Sequence, residues 1–283
     1  MKELFVSYLY KLRHDLAFRI TLIIGGGLAL LMFLIYLGLS ALLETNMLNG
    51  TSMLISSLSP VQNFGLAVPI NLITFTVLEF NHGSIRNKII AGHSKGSIYT
   101  SLFLNGLLFT FVLVGIYAVL NFGLGSIGSL FSFGDGSQQV DPLLNPSYAD
   151  GYVLKMIILA CVSYISIVSF TIFFATLFRN IGPSIPVVIV GLLICYLAGT
   201  IISLAGAENE ALLWVGRLVD PLYGMGAGEY ELVHTTINGQ DVVTGQLMTI
   251  KNETFFCSIG SNVFYATLFY VFGLIIFRKR DIK

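Results

Sequence analysis

Across six long stretches this chain has no Asp, Glu, Lys, Arg or His at all. Charge is scarce throughout, at 11% of residues against about a quarter in an ordinary soluble domain. Such a chain cannot clothe a surface facing water, but it can face lipid. The missing charges also weigh against particular chemistries. Ion-coupled transporters keep carboxylates or His at membrane depth to bind the coupling ion, and intramembrane proteases need a nucleophile with a base, or paired acids. Neither set is present. No GxxxxGK followed by Ser or Thr occurs, and the connecting segments are too short for a nucleotide-binding domain, so any ATPase acting on this chain is a separate polypeptide. The three cysteines, Cys161, Cys195 and Cys257, are odd in number and scattered, which argues against a disulfide framework or a CxxC metal site. A net charge of zero leaves no overall field to attract nucleic acid. Basic residues precede a long apolar run at the N-terminus without a small-residue cleavage site, so that run reads as a retained span.

What is present is hydrophobic length. About 20 apolar residues cross about 30 Å of hydrocarbon as a helix, and in lipid the backbone must satisfy its own hydrogen bonds. The charge-free stretches are 20–43, 61–78, 98–120, 156–178, 184–206 and 258–277. The expected fold is an all-α integral membrane protein with six transmembrane helices, forming one transmembrane domain over 1–283.

The basic residues orient it. With the N-terminus inside, Lys2, Lys11, Arg13, Arg19, Arg86, Lys88, Lys95, Arg179, Arg278, Lys279, Arg280 and Lys283 are cytoplasmic, and only Lys155, Arg217 and Lys251 lie outside. Both termini are then cytoplasmic and the chain sits in the plasma membrane. Within residues 1–19, Leu4, Phe5, Tyr8, Leu12, Leu16 and Ile20 recur at helical steps opposite Lys2, Lys11 and Arg13. This predicts an amphipathic helix in the membrane interface, the alternative being a plain extension of the first span. Residues 121–155 read as a loop rich in Gly, Ser, Asn and Pro. In 207–257, Ala211–Val219 predicts a short helix ending at Asp220-Pro221, and Asn238-Gly239 a hairpin turn between Glu231–Ile237 and Gln240–Val243.

The most distinctive segment is the inner loop 79–97. Ser84 to Ala91 reads as a short amphipathic helix between Gly83 and Gly92, with Ser84 as its cap and Ile85, Ile89 and Ile90 on one apolar face beside Arg86 and Lys88. Two readings stand on the residues alone: a surface loop that obeys the charge rule, or a cationic helix that docks into a groove on a cytoplasmic partner. Glu79, at the inner membrane edge, seeks a cation, and Lys11 or Arg13 of the N-terminal helix would supply one; a solvated edge carboxylate is the alternative. His82 and His93 are too far apart in the chain for a good metal site, and no metal ligands or catalytic residues are assigned.

The pattern Glu-Phe-x-x-Gly-x-Ile-x-x-Lys-x-x-x-Gly-x-Ser-Lys, with Ile98-Tyr99 opening the next span, resembles the permeases of ABC-2 type ABC transporters, and among them small bacterial permeases of peptide-antibiotic export and immunity. The likeness extends to the elbow helix, the six spans, the ordered outside segment and the basic tail. It implies a permease subunit that works with a second copy or a paired relative and binds two cytoplasmic ABC ATPase subunits, which use ATP and Mg; the chain itself needs no cofactor. It further implies that the loop is the coupling helix, through Glu79, Gly83, Ile85, Arg86, Lys88, Gly92, Ser94 and Lys95. Lys95 stands where such proteins often carry Arg, which removes a two-pronged hydrogen-bonding group. A charge-free pathway suits an amphipathic or hydrophobic cargo such as a peptide, drug or lipid, with Ser163, Ser166, Ser169 and Thr171 as part of its lining. The competing expectation is a membrane sensor or assembly subunit that binds a ligand through 207–257 and transports nothing.

Overall fold

The computed structural model describes residues 6–7, 10, 14, 16–43, 48–59, 67–131, 151–205, 210–219, 229–237 and 240–280. In chain order the elements are α1 (Leu16–Leu43), α2 (Gly50–Leu58), α3 (Ala67–Asn81), α4 (Ser84–Ile90), α5 (Lys95–Gly128), α6 (Tyr152–Phe178), α7 (Ile181–Ala205), α8 (Glu210–Val219), β1 (Glu229–Ile237), β2 (Gln240–Thr249) and α9 (Asn252–Lys279). Five of them, α1, α5, α6, α7 and α9, are long and apolar enough to cross a membrane. The chain is a helical, multi-pass membrane protein.

Several expected boundaries move. The second expected span, 61–78, corresponds to α3, an apolar helix of 15 residues that ends at Asn81. At about 1.5 Å per residue it falls short of a full crossing, and 61–66 lie outside the described residues. Pro69 sits in its first turn, where the missing N–H breaks no helical bond. The expected loop 121–155 starts as helix, because α5 continues to Gly128. Its partner there is α2, which the sequence reading did not include: Asn49 caps α2 by accepting from the N–H of Thr51 at 2.9 Å and of Ser52 at 3.3 Å. In the expected interfacial helix 1–19, residues 6, 7, 10 and 14 are helical, and most of the remainder lies outside the described residues.

Without a hydrophobic force between helices in lipid, association depends on close packing. Burial separates inner from outer helices: 56% of the most apolar window of α6 is buried, against 17% for α1 and for α7. The core joins Val68 and Leu72 of α3, Tyr99, Leu102, Phe109 and Leu113 of α5, and Leu159, Tyr164 and Ile167 of α6. At Gly273 of α9 an added Cβ would stand 2.0 Å from the Tyr99 hydroxyl, so glycine lets α9 approach α5 there. One residue along α5, Thr100 Oγ1 and the Tyr270 hydroxyl hydrogen-bond at 2.8 Å. Gly25-Gly26-Gly27 does not act in this way throughout. Gly25 is buried, but a Cβ at Gly26 or Gly27 would meet nothing within 4 Å.

The end of the bundle away from α4 carries α8 and the hairpin. Helix α8 spans the expected segment and is tied to α9 by the Tyr265 hydroxyl, which donates to the Leu218 carbonyl at 2.8 Å. β1 and β2 pair antiparallel with Ile237 opposite Gln240 across Asn238-Gly239, as the turn signal predicts; the two turn residues themselves are not described. Both strands are longer than expected, and a bulge lies between Val233 and His234. Lys155 Nζ donates to the Ile250 carbonyl at 2.7 Å and to Asn252 Oδ1 at 2.9 Å. Lys155 thereby anchors the hairpin's exit to the start of α6.

Candidate functional site

At the other end, the chain turns twice on left-handed glycines. Gly83 has φ +66° and Gly92 φ +90°, a region that a Cβ penalises. These glycines bracket α4 as the sequence predicts. The cap differs from expectation: Gly83 is the N-cap and gives no side-chain bond, while Ser84 is already inside the helix. Ser94 caps α5 instead, accepting from the Ser97 N–H at 3.2 Å.

Helix α4 is pinned to the bundle by apolar contacts and an ion pair. Ile85 is buried. Lys88 Nζ lies 2.8 Å from Glu79 Oε2, with the Glu79 side chain fully buried and that of Lys88 16% exposed. Glu79 thus pairs inside its own loop, where the sequence had suggested Lys11 or Arg13; both of those lie outside the described residues. The expected apolar face is also split. Ile85 and Ile89 turn inward, whereas Ile90 is 74% exposed. Ile90 shares the outer face with Arg86 and Asn87, both exposed.

Around α4 the ends of four other helices are fastened together. Lys95 Nζ donates to the carbonyls of Arg280 at 2.9 Å and Arg278 at 3.3 Å. Arg280 Nη1 in turn donates to the Leu177 carbonyl at the end of α6. These bonds satisfy carbonyls that a helix C-terminus leaves open. Arg179 caps α6 with φ +54°, the single positive-φ residue other than glycine among those described. Its guanidinium lies 5.1 Å from the centre of the Phe80 ring, which itself packs on Phe277 of α9. Burial, and then the charge of nearby Arg280, lowers the Arg179 pKa from its ordinary value. The Arg278 guanidinium lies against Gly96. The structure therefore brings Glu79, Gly83, Ile85, Arg86, Lys88, Gly92, Ser94 and Lys95 into one locality.

Residues 17–283 match the family DUF2705, whose description is protein of unknown function. The chain belongs to this family. No curated protein and no solved structure matches it.

In this family member the expected lining residues, Ser163, Ser166, Ser169 and Thr171, are all buried within the bundle. Thr171 bonds back to the Ile167 carbonyl of its own helix at 2.7 Å, while Ser169 Oγ has no partner among the described residues. A second polar row was missed. Thr254, Ser258 and Asn262 recur every four residues on α9 and are buried, and Thr254 Oγ1, Ser258 Oγ and Asn262 Oδ1 lack partners among the described residues. The four-residue spacing was legible in the sequence; the inward orientation of the row was not. Sequence reading also missed Phe80, Arg179, Phe277 and Arg280 as fasteners, for nothing local announces contacts between helix ends so distant in the chain. Among the described residues no three His, Cys, Asp or Glu gather at a metal-binding distance, and none of the three cysteines is in a disulfide.

Proposed function

We propose that this chain is the membrane permease subunit of an ATP-driven exporter of the ABC-2 type, in the plasma membrane with both termini cytoplasmic. In this reading α4 is the coupling helix that receives an ABC ATPase. The observation that carries it is the helix's mounting. A seven-residue cationic helix is held between two left-handed glycines, clamped by Ile85 and Glu79–Lys88, and turns Arg86, Asn87 and Ile90 outward. One exposed aliphatic flanked by a cation and an amide suits insertion into a groove with an acidic rim. A push on α4 would pass to α3 through Glu79, and to α6 and α9 through Lys95 and Arg280. Two permease chains with two ATPase subunits burning MgATP would switch access by tilting these helices. The buried hydroxyl rows of α6 and α9 would supply polar lining once the helices part. The cargo is amphipathic or hydrophobic: a peptide, a drug or a lipid.

The test uses the outward residues, because Lys88 also holds the fold. The chain is co-purified with the ABC ATPase encoded beside it, as wild type and as Arg86→Glu with Ile90→Glu. Copurification of the ATPase with the wild type, its loss from the double variant at unchanged thermal stability, and loss of permease-dependent ATP hydrolysis are the expected results. An absence of any ATPase, or equal binding by the variant, would sink the exporter reading. The chain would then be better read as a sensor or assembly subunit acting through 207–257.

A further inference from the structure

Between the ends of α6 and α9 a cleft of about 680 Å³ opens beside the basic end. Its walls are Leu177 and Phe178 of α6 and Ile276 and Lys279 of α9, with Arg280 following. We infer that this cleft binds the phosphate headgroup of an anionic phospholipid in the leaflet at that end. The inference rests on the chain's being a membrane protein and is independent of the exporter reading.

The cleft has a lipid's two-part chemistry. Leu177, Phe178 and Ile276 present carbon, and the apolar surface continues along the outside of α9 through Ile275 and Phe272, 43% and 52% exposed. An acyl chain can follow that stripe away from the headgroup. Lys279 and Arg280 supply charge at the level where a phosphate would sit. Lys279 makes no hydrogen bond or ion pair with any described residue, and it is exposed. Arg280 commits one N–H to the Leu177 carbonyl, which leaves most of its five donors unused among the described residues and fixes the guanidinium at the cleft's mouth. A basic pocket between membrane helices is a general feature of anionic headgroup sites.

An opposing effect has to be considered. Two helices end here, and a helix C-terminus carries partial negative charge that repels an anion. That repulsion is blunted because three carbonyls here accept from cationic side chains: Leu177 from Arg280, and Arg278 and Arg280 from Lys95. Among the described residues Glu79, the acid of this end, is taken up by Lys88, and 278–283 carry four basic residues against Asp281. The excess charge there is cationic.

The full chain is purified in mild detergent and given phosphatidylglycerol, phosphatidylcholine, glycerol 3-phosphate or inorganic phosphate in turn. Retained lipid is read by native mass spectrometry and thermal stability by light scattering. Phosphatidylglycerol is expected to be retained and to raise the melting temperature, with phosphatidylcholine and the two free phosphates without effect. Lys279→Gln should weaken retention about five-fold, since one cation near an anionic surface contributes about 1 kcal/mol, and Lys279→Gln with Arg280→Gln should weaken it further. Arg86→Gln, at another exposed cation that does not line the cleft, should retain the lipid in full. Should the Arg280 variant prove unstable, Lys279→Gln against Arg86→Gln still decides. Equal retention of phosphatidylcholine, equal loss in Arg86→Gln, or no loss in Lys279→Gln overturns the site. Stabilisation by free phosphate as strong as that by phosphatidylglycerol overturns the lipid as its ligand.

Discussion

Glu79 and Lys88 form an ion pair of unequal burial, and the inequality predicts which loss hurts. Removing one partner of a buried pair costs about 3–5 kcal/mol because the other charge is left uncompensated. Lys88 keeps some contact with solvent and Glu79 has further interactions, so Lys88→Met should cost about 2 kcal/mol, below that range. Lys88→Met with Glu79→Gln should recover part of this, while Arg86→Met, on the exposed face, should cost under about 0.5 kcal/mol. Thermal unfolding of the four proteins in detergent measures the coupling; equal effects of Lys88→Met and Arg86→Met would remove the pair's role. Glycines give a second contrast. Gly273→Ala drives a methyl into the Tyr99 hydroxyl, and overpacking of this kind costs about 1–3 kcal/mol. Gly26→Ala meets nothing and should leave stability unchanged or slightly raised. At this scale the sequence was informative in kind but not in partner. Gly83 and Gly92 could be read as paired brackets because positive φ favours one residue type. The partner of Glu79, and the outward turn of Ile90, could not, because each depends on how a seven-residue helix is rotated against its bundle.

Among the elements, the long helices were legible and the short ones less so. Charge-free length alone marks α1, α5, α6, α7 and α9, since lipid imposes one solution on such segments. Their ends were misplaced by up to eight residues because polar helix outside the hydrocarbon carries no hydropathy signal, as in the extension of α5 to Gly128. Helix α2 escaped notice for a related reason. Its nine residues are half small and polar, and it is held by its cap and by the closeness of Asn49 and Leu48 to Gly125 and Gly128. Asn49 is itself buried and occupied in capping, so the Asn-Gly-Thr sequon it begins is not open to modification in the folded chain. Asn49→Ala should cost about 1 kcal/mol. The loss should appear as roughly five-fold faster hydrogen exchange at the Met53 amide, which bonds to the Asn49 carbonyl, with exchange in the middle of α9 unaffected. Unchanged protection at Met53 would mean that packing on α5, and not the cap, holds α2.

For the molecule as a whole, the two ends of the bundle differ in charge, and the helix ends that meet at each are those an alternating path requires. The end of α3, the start of α5, the end of α6 and the end of α9 gather with α4, Arg179 and Arg280. The far end gathers α2, α8, the start of α6 and the hairpin's exit. Odd and even crossings are thus sorted, but the sorting by itself does not say which end faces the cell interior. The proposed orientation puts the α4 end inside, on the ground that cations resist translocation and basic residues are concentrated there. With Cys161, Cys195 and Cys257 replaced by Ser, a single cysteine at Arg86 or Ile90 should be blocked by an impermeant maleimide only after the membrane is opened. A cysteine at Lys251, by the hairpin's exit, should be blocked in intact cells. Both α4 positions are exposed in the folded chain, so labelling reports sidedness and not unfolding. The reverse pattern would put α4 outside the cell. It would remove the coupling-helix reading together with any cytoplasmic ATPase, yet leave the lipid cleft standing, because anionic headgroups need only the leaflet at that end.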